Sequence, residues 1–418
     1  MEKRISQKME GLGTRRSVIR EIFEYGNRRK AEIGAERVFD FSLGNPSVPA
    51  PPVVNETLAA LLAEREPAAL HGYTTAAGDM GVRRAIAAYL EKTHGAAADP
   101  TLIYLTVGAA AALTITLSAV LPDGGEGEVL LLAPFFPEYR VFAEQAGGRV
   151  RVLPLRAPDF SIDPAALRAA LNERTAAVIV NSPNNPVGSV LTEGNLREAA
   201  DVLREAEAAY GHPIYLVADE PYRELVYGDA VVPFIPNLYQ DTIVCYSFSK
   251  SLSLPGERIG YIFVSPKAAF AREVYAAVMG AGRALGFVCA PALFQYMIPA
   301  CLGQTADLTV YRENRDLLYS SLTEMGYTCV KPDGAYYLFV KAPGGDAGAF
   351  CKLAQRHELL LVPSDDFGYP GYLRLSYCVA TDMIRRALPA FRAAMNDYEK
   401  EGKINGYERA GSCKTRDQ

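Results

Sequence analysis

Lys250 stands in the stretch Ser247-Phe248-Ser249-Lys250-Ser251-Leu252-Ser253, directly after the apolar run 242–246. Arg258 follows eight residues later, ahead of a second apolar run at 259–264. A lysine at a strand end, ringed by hydroxyls, suits an amine that must meet a carbonyl while hydroxyls and a guanidinium hold a phosphate. Taken alone, the stretch also fits a polar loop after a buried strand.

Other residues extend the same chemistry. Asp219-Glu220-Pro221-Tyr222 closes an apolar run. A carboxylate fixed there can keep a pyridine nitrogen protonated, and Tyr222 can bond a phenolic ring oxygen. Asn184-Asn185-Pro186 follows another run, and a residue before proline is held extended, so the Asn185 amide points away from the chain. Val107-Gly108-Ala109-Ala110 precedes an apolar helix, whose free N–H groups suit phosphate. Phe135-Phe136 lies between two prolines, where one ring can stack on a flat ligand. Arg374, between Leu373 and Leu375, has the planar fork that matches a carboxylate. An aldehyde for the amine, a phosphate for the donors and a pyridine ring for the aspartate describe pyridoxal 5′-phosphate (PLP). Singly, each motif also reads as a turn cap, an Asn-Pro turn, a Gly cap, a core aromatic pair or an exposed strand arginine.

The elements that must position these residues alternate. Strand patterns at 128–133, 149–155, 176–181, 214–219, 242–247 and 259–264 are interleaved with helix patterns at 108–121, 138–146, 163–171 and 192–210. Such alternation predicts a mostly parallel sheet covered on both faces, with ligands at the carboxyl ends of its strands. Asn185, Asp219 and Lys250 fall at such ends. Charged helix 15–33 and the turn-rich segment 42–52 come before this body, together with helix patterns at 53–64 and 79–92. A long helical stretch at 266–315 leads to an α+β unit, with strand pieces at 336–340, 359–362 and 372–377 and helices near 348–357 and 381–399. The predicted division is an N-terminal arm with part of the small domain (1–52), a large domain (53–300), a C-terminal small domain (301–400) and a mobile tail (401–418).

Composition excludes several alternatives. The 418 residues carry 43 basic and 48 acidic groups, a net charge of −5, which gives no footprint for nucleic acid or an anionic membrane. No apolar run reaches membrane-spanning length, and no leader is expected from the first residues. The seven cysteines match no zinc spacing and the four histidines form no cluster, so no metal site is predicted. Reduced thiols in a cytoplasmic protein are the expected state.

In order along the chain come Gly44-Asn45-Pro46, Gly72-Tyr73 with Gly78, Gly108, Asn-Asn-Pro-Val-Gly at 184–188, Asp-Glu-Pro-Tyr at 219–222, Ser-Phe-Ser-Lys with Arg258, Pro-Asp-Gly-Ala-Tyr-Tyr at 332–337 and Arg-Leu-Ser-Tyr at 374–377. This ordered set, over residues 18–391, resembles the PLP-dependent class I/II aminotransferases of fold type I, in the aspartate aminotransferase superfamily. The resemblance implies a mostly parallel seven-stranded sheet flanked by helices, with a smaller α+β domain. It implies transfer of an amino group from an L-amino acid to a 2-oxo acid in two half-reactions. Lys250 resembles the Schiff-base lysine, Asp219 the ring-nitrogen partner, and Asn185 and Tyr222 the donors to the ring oxygen. Phe136 matches the stacking ring. Gly108, Ala109, Ala110, Ser247 and Arg258 match the phosphate cup. Tyr73 matches a tyrosine that reaches the neighbouring subunit's phosphate, implying a homodimer with shared sites. Arg374 matches the α-carboxylate clamp and Gly44 a backbone contact near the substrate. Many relatives have a hydroxyl, amide or lysine where Ala110 stands, so here only its backbone can serve. No arginine aligns clearly with a distal-carboxylate partner; Arg283 is the one nearby candidate. The same site chemistry also supports C–S β-lyases and related Cα-carbanion enzymes. A PLP-sensing regulator would need a DNA-binding domain in front of the main body, and the roughly 50 residues there are too short and not basic enough for one.

Overall fold

The computed structural model describes residues 4–14 and 18–412, with side chains to residue 401. Two compact units result, one built from Pro46–Arg312 and Pro332–Ala335, the other from Met1–Asn45, Glu313–Lys331 and Tyr336–Gln418.

The first unit is organised on seven strands: β1 (Ile103–Thr106), β2 (Glu128–Ala133), β3 (Arg149–Pro154), β4 (Thr175–Asn181), β5 (Tyr215–Asp219), β6 (Thr242–Ser247) and β7 (Gly260–Val264). Their order across the sheet is β1-β7-β6-β5-β4-β2-β3. All but β3 are buried along their whole length. That is why they read as unbroken apolar runs rather than as alternating ones. β3 lies at the edge and is mostly exposed. Its Arg151 and the nearby Arg174 converge on Glu128 at 3.7 and 3.0 Å, which puts charge on an edge that would otherwise invite pairing.

β2 to β6 pair in parallel, but β7 runs antiparallel to both of its neighbours. The reason lies in the connection from β6. It contains only the four-residue helix Phe248–Ser251, with no crossover helix to return the chain in parallel. β1 itself goes unread in the sequence because it is only four residues long and follows a single 3₁₀ turn, Pro100–Leu102.

The helices follow local signals closely. Asp79, Asp163 and Thr192 each cap a helix start through the side chain, and Pro164 takes the first helical position after Asp163. One expectation is corrected. The stretch 266–315 is not one long helix but three, Ala271–Ala284, Ala292–Cys301 and Thr309–Glu324. Gly286 and Gly303 have left-handed backbones (φ 79° and 77°) in the connections, and Pro291 precedes the second helix.

The second unit carries a four-stranded antiparallel sheet. Its strands are β8 (Thr328–Val330), β9 (Tyr337–Lys341), β10 (Val362–Pro363) and β11 (Tyr372–Ser376), in the order β10-β11-β9-β8. A second pairing joins Phe39–Asp40 to Leu359–Leu360 in parallel. Ile22 on the Val18–Ile33 helix packs with Val38, Leu360, Val362 and Phe367. Residues 15–17 of the predicted first helix lie outside the described residues. The last helix runs Thr381–Ser412, beyond the expected end near 399, and residues 413–418 of the predicted tail lie outside the described residues. Among the described residues, no helix is long and apolar enough to cross a membrane.

Candidate active site

The carboxyl ends of β4, β5 and β6 are adjacent, and hydrogen bonds knit the loops that leave them. Asn181, the last residue of β4, is in register with Asp219, the last of β5. Its Nδ2 donates to the Asp219 carbonyl oxygen at 2.9 Å, and its Oδ1 accepts from the Asn185 N–H at 2.7 Å. One buried amide therefore sets the spacing between the two loops. Asn184 braces the first of these loops internally by accepting from the Val187 N–H at 3.1 Å. Asn185 and Tyr222 are both buried, at 6% and 5% exposure.

Asp219 is the electrostatic centre. Its Oδ2 accepts a hydrogen bond from the Tyr139 hydroxyl. Its Oδ1 is buried and has no partner. Burial pushes its pKa up to about 7; the Tyr139 bond opposes this and the Glu220 charge adds to it. Glu220 points to a different partner, the buried Arg223, through two contacts of 2.5 Å. Arg223 also donates to the carbonyls of Val232 and Pro233, which anchors the turn carrying Tyr222. Tyr139 itself stands edge-on to Phe136 at 5.7 Å. Of the two predicted candidates for stacking, Phe135 is core, whereas Phe136 is half-buried.

Lys250 occupies the short Phe248–Ser251 helix after β6 and is half-buried. Ser247 caps that helix, and its hydroxyl lies 2.7 Å from that of Ser249. Arg258 reaches the same place: Nη1 is 3.4 Å from the Ser249 hydroxyl and 2.9 Å from the Pro255 carbonyl. Ser253 and Arg258 both have left-handed backbones, at φ 53° and 51°, a conformation unusual away from glycine. On the other side, Gly108 caps the Ala109–Val120 helix at φ 88°. A side chain there would come within 2.6 Å of Arg258 Nη2. The first N–H groups of that helix have no acceptor within it. Gly108 at the start of this helix, Arg258, Ser247 and Ser249 are thus close neighbours, with side-chain and backbone N–H and O–H groups that suit an anion.

β7 brings the two sides of this group together. Gly260 pairs with Thr106 on one side and Ser247 on the other. A Cβ on Gly260 would strike the Tyr246 carbonyl oxygen, and it would lie 3.2 Å from Gly108 Cα and 3.3 Å from Ser247 Cα. Gly260→Ala is therefore expected to cost about 1–3 kcal/mol of stability in urea unfolding.

In the second unit Arg374 is 2% exposed on β11. Its Nη2 donates to the Ser42 carbonyl oxygen, and the rings of Tyr337 and Phe367 lie 4.9 and 5.2 Å from its guanidinium. Gly44 accepts from the Tyr336 hydroxyl at 3.0 Å, and the Tyr337 hydroxyl occupies the space a Gly44 side chain would need. Tyr73 takes no part in these networks within one chain; it is 99% exposed. Arg283 is exposed on the last turn of its helix.

Sequence reading missed Tyr139 and Asn181. Tyr139 was detectable only as the residue three after Phe136, in the first turn of the helix that follows it. Asn181 had no signal of its own, because its role depends on the β4–β5 register. Ser249 stood in the serine-rich stretch but was given no role of its own.

Residues 36–391 match the family described as aminotransferase class I and II. An aromatic-amino-acid aminotransferase of Thermococcus litoralis is 28% identical over 91% of this chain and 96% of its own length. An aspartate aminotransferase of Geobacillus stearothermophilus is 31% identical over 76% of this chain and 81% of its own. Among solved structures, an amino transferase from Eubacterium rectale is 50% identical with a TM-score of 0.93, covering 95% of this chain and all of its own. The aspartate aminotransferase of Thermus thermophilus with maleate is 25% identical with a TM-score of 0.81, covering 94% of this chain and all of its own.

Proposed function

The chain belongs to the class I and II aminotransferases, and on that premise we propose that it holds pyridoxal 5′-phosphate at the ends of β4, β5 and β6. It transfers an amino group from an amino acid to a 2-oxo acid. The observation that carries the cofactor assignment is the open Oδ1 of buried Asp219. A buried carboxylate oxygen without a partner is costly, and a protonated ring nitrogen is a partner that fits. The cradle of Gly108, Arg258 and Ser247 likewise fits a phosphate.

When bound, the protonated pyridine ring supplies an electron sink for charge developing at an amino acid's Cα. The residues do the rest. Lys250 Nζ would hold the cofactor by its aldehyde and, when the substrate's amino group takes that place, would act as the base and then the acid that moves the Cα proton. Asp219 keeps the ring-nitrogen proton in place. Asn185 and Tyr222 donate to the ring oxygen, and Phe136 covers one ring face. The N–H groups of Ala109 and Ala110 join Gly108, Ser247 and Arg258 on the phosphate. Arg374 takes the α-carboxylate, with the Gly44 backbone beside it. We assign the first unit to the cofactor and the second to the substrate carboxylate. The six described cysteines, none in a disulfide, suit a cytoplasmic setting.

The experiment is a single half-reaction. Cofactor-loaded protein mixed with a panel of amino acids should lose its visible absorbance while forming one 2-oxo acid per bound cofactor, and recover it with a second 2-oxo acid. Continuous release of 2-oxo acid and ammonia, with the absorbance unchanged, would contradict transamination and indicate a lyase.

The exposure of Tyr73 supports a homodimer with shared sites. Mixing an inactive Tyr73→Phe chain with an inactive Lys250→Ala chain should recover up to about a quarter of wild-type activity. That figure follows if exchange is random and one hybrid site in two is intact. No recovery, with subunit exchange demonstrated by mass spectrometry, would reject the shared site.

A further inference from the structure

We infer that Tyr139 is a positioning residue for Asp219, fixing one carboxylate oxygen so that the other is presented to the cofactor's ring nitrogen. The inference rests on the reading of Asp219 as the ring partner and adds a residue that reading does not contain.

The geometry assigns the two oxygens different tasks. Tyr139 spends its single hydroxyl proton on Oδ2, whereas Oδ1 is buried and open. A phenol donor orients the carboxylate without neutralising it, so the remaining charge is directed at whatever meets Oδ1. A cationic donor at Oδ2 would compete with that partner; a neutral one does not.

Tyr139 is held in turn. It is 2% exposed, lies in the first turn of the Glu138–Gln145 helix, and its N–H donates to the Phe136 carbonyl at 3.0 Å. Its ring meets Phe136 edge-on. One turn of chain after β2 therefore carries both the ring that covers the cofactor face and the hydroxyl that aims the carboxylate. Asp219 is fixed from the other direction by Asn181 at its carbonyl oxygen. Cys245, in register with Asp219 on β6, is engaged with the Thr116 hydroxyl at 3.4 Å and does not supply a second donor.

The test is a double-mutant cycle read as cofactor affinity rather than turnover. Wild type, Tyr139→Phe, Asp219→Asn and the double variant are freed of cofactor, checked for fold by circular dichroism, and titrated with PLP in equilibrium dialysis. Phenylalanine keeps the buried ring and its contact with Phe136, so the fold is retained. Tyr139→Phe should weaken binding about 10- to 100-fold, the effect of losing a hydrogen bond to a charged group. In the Asp219→Asn background the same change should cost less than about twofold, because the carboxylate it serves is gone. Equal losses in both backgrounds would mean that Tyr139 acts independently of Asp219, and would overturn the inference. So would unchanged binding by Tyr139→Phe in the wild-type background. If Asp219→Asn alone left both affinity and turnover intact, the ring-partner reading itself would fall and the inference with it.

Discussion

Lys250→Ala is expected to reduce turnover by about 10⁴-fold or more, since the nucleophile and the proton carrier are lost in one step. The fold should be indifferent to the change. Lys250 is half-buried in a four-residue helix, and alanine is the strongest helix former. Stability should stay within about 0.5 kcal/mol of wild type. The phosphate donors are untouched, so the variant should still bind the cofactor, though not covalently. Borohydride reduction followed by mass spectrometry distinguishes the two proteins: wild type gains the mass of the reduced cofactor at Lys250, and the variant gains none. A variant turning over at near wild-type rate would remove Lys250 from the chemistry.

Asp219→Asn should lower turnover by roughly 10²–10³-fold, the usual size of one preorganised electrostatic contact, and it should do so in a chain that becomes more stable. In the unliganded protein, burial raises the Asp219 pKa from 3.8 to about 7. The folded chain then holds more protons than the unfolded chain between those values. Its stability therefore falls as pH rises through that window and levels off above it. The change corresponds to about 4 kcal/mol at most. Asparagine has no such charge to bury. The unliganded variant should match wild type near pH 4 and exceed it at pH 8 in urea unfolding. Glu224 is also raised to about 7 by burial, but it is present in both proteins, so the difference isolates Asp219. The charged and titratable neighbours facing Asp219 are Tyr139, Glu220 and Cys245. Greater stability without function is the expected signature of a group kept for its charge. A variant less stable than wild type at pH 8 would contradict the buried-charge account.

These residues also show what a sequence makes visible. Lys250, Asp219 and Asn185 stood out because each ends an apolar run, and a parallel sheet brings such ends to one rim. That inference needs strand direction but no register. Asn181 and Tyr139 stayed hidden for the opposite reason. Asn181 matters because it lies opposite Asp219 across one particular pairing. Tyr139 matters because its helix leaves β2 at one particular angle. β7 was visible as an apolar run, yet its reversed direction was not, since direction depends on how the chain folds back after Lys250. Arg374 was legible as an arginine within an apolar strand, but its aromatic flanks come from Phe367 and Tyr337 on other elements.

The reversed strand has a consequence for how the site comes into being. Gly108 and Ser247 lie far apart in the chain, and they become neighbours only when β7 inserts between β1 and β6. Loop closure of that length is slow compared with local helix formation. On the ribosome the helix behind Gly108 emerges early, but the proposed phosphate cradle has no second wall until residue 260 has emerged and paired. On the proposed assignment, cofactor capture would therefore be a late event in the maturation of this chain. Until then, the growing sheet must keep two unpaired strand edges protected.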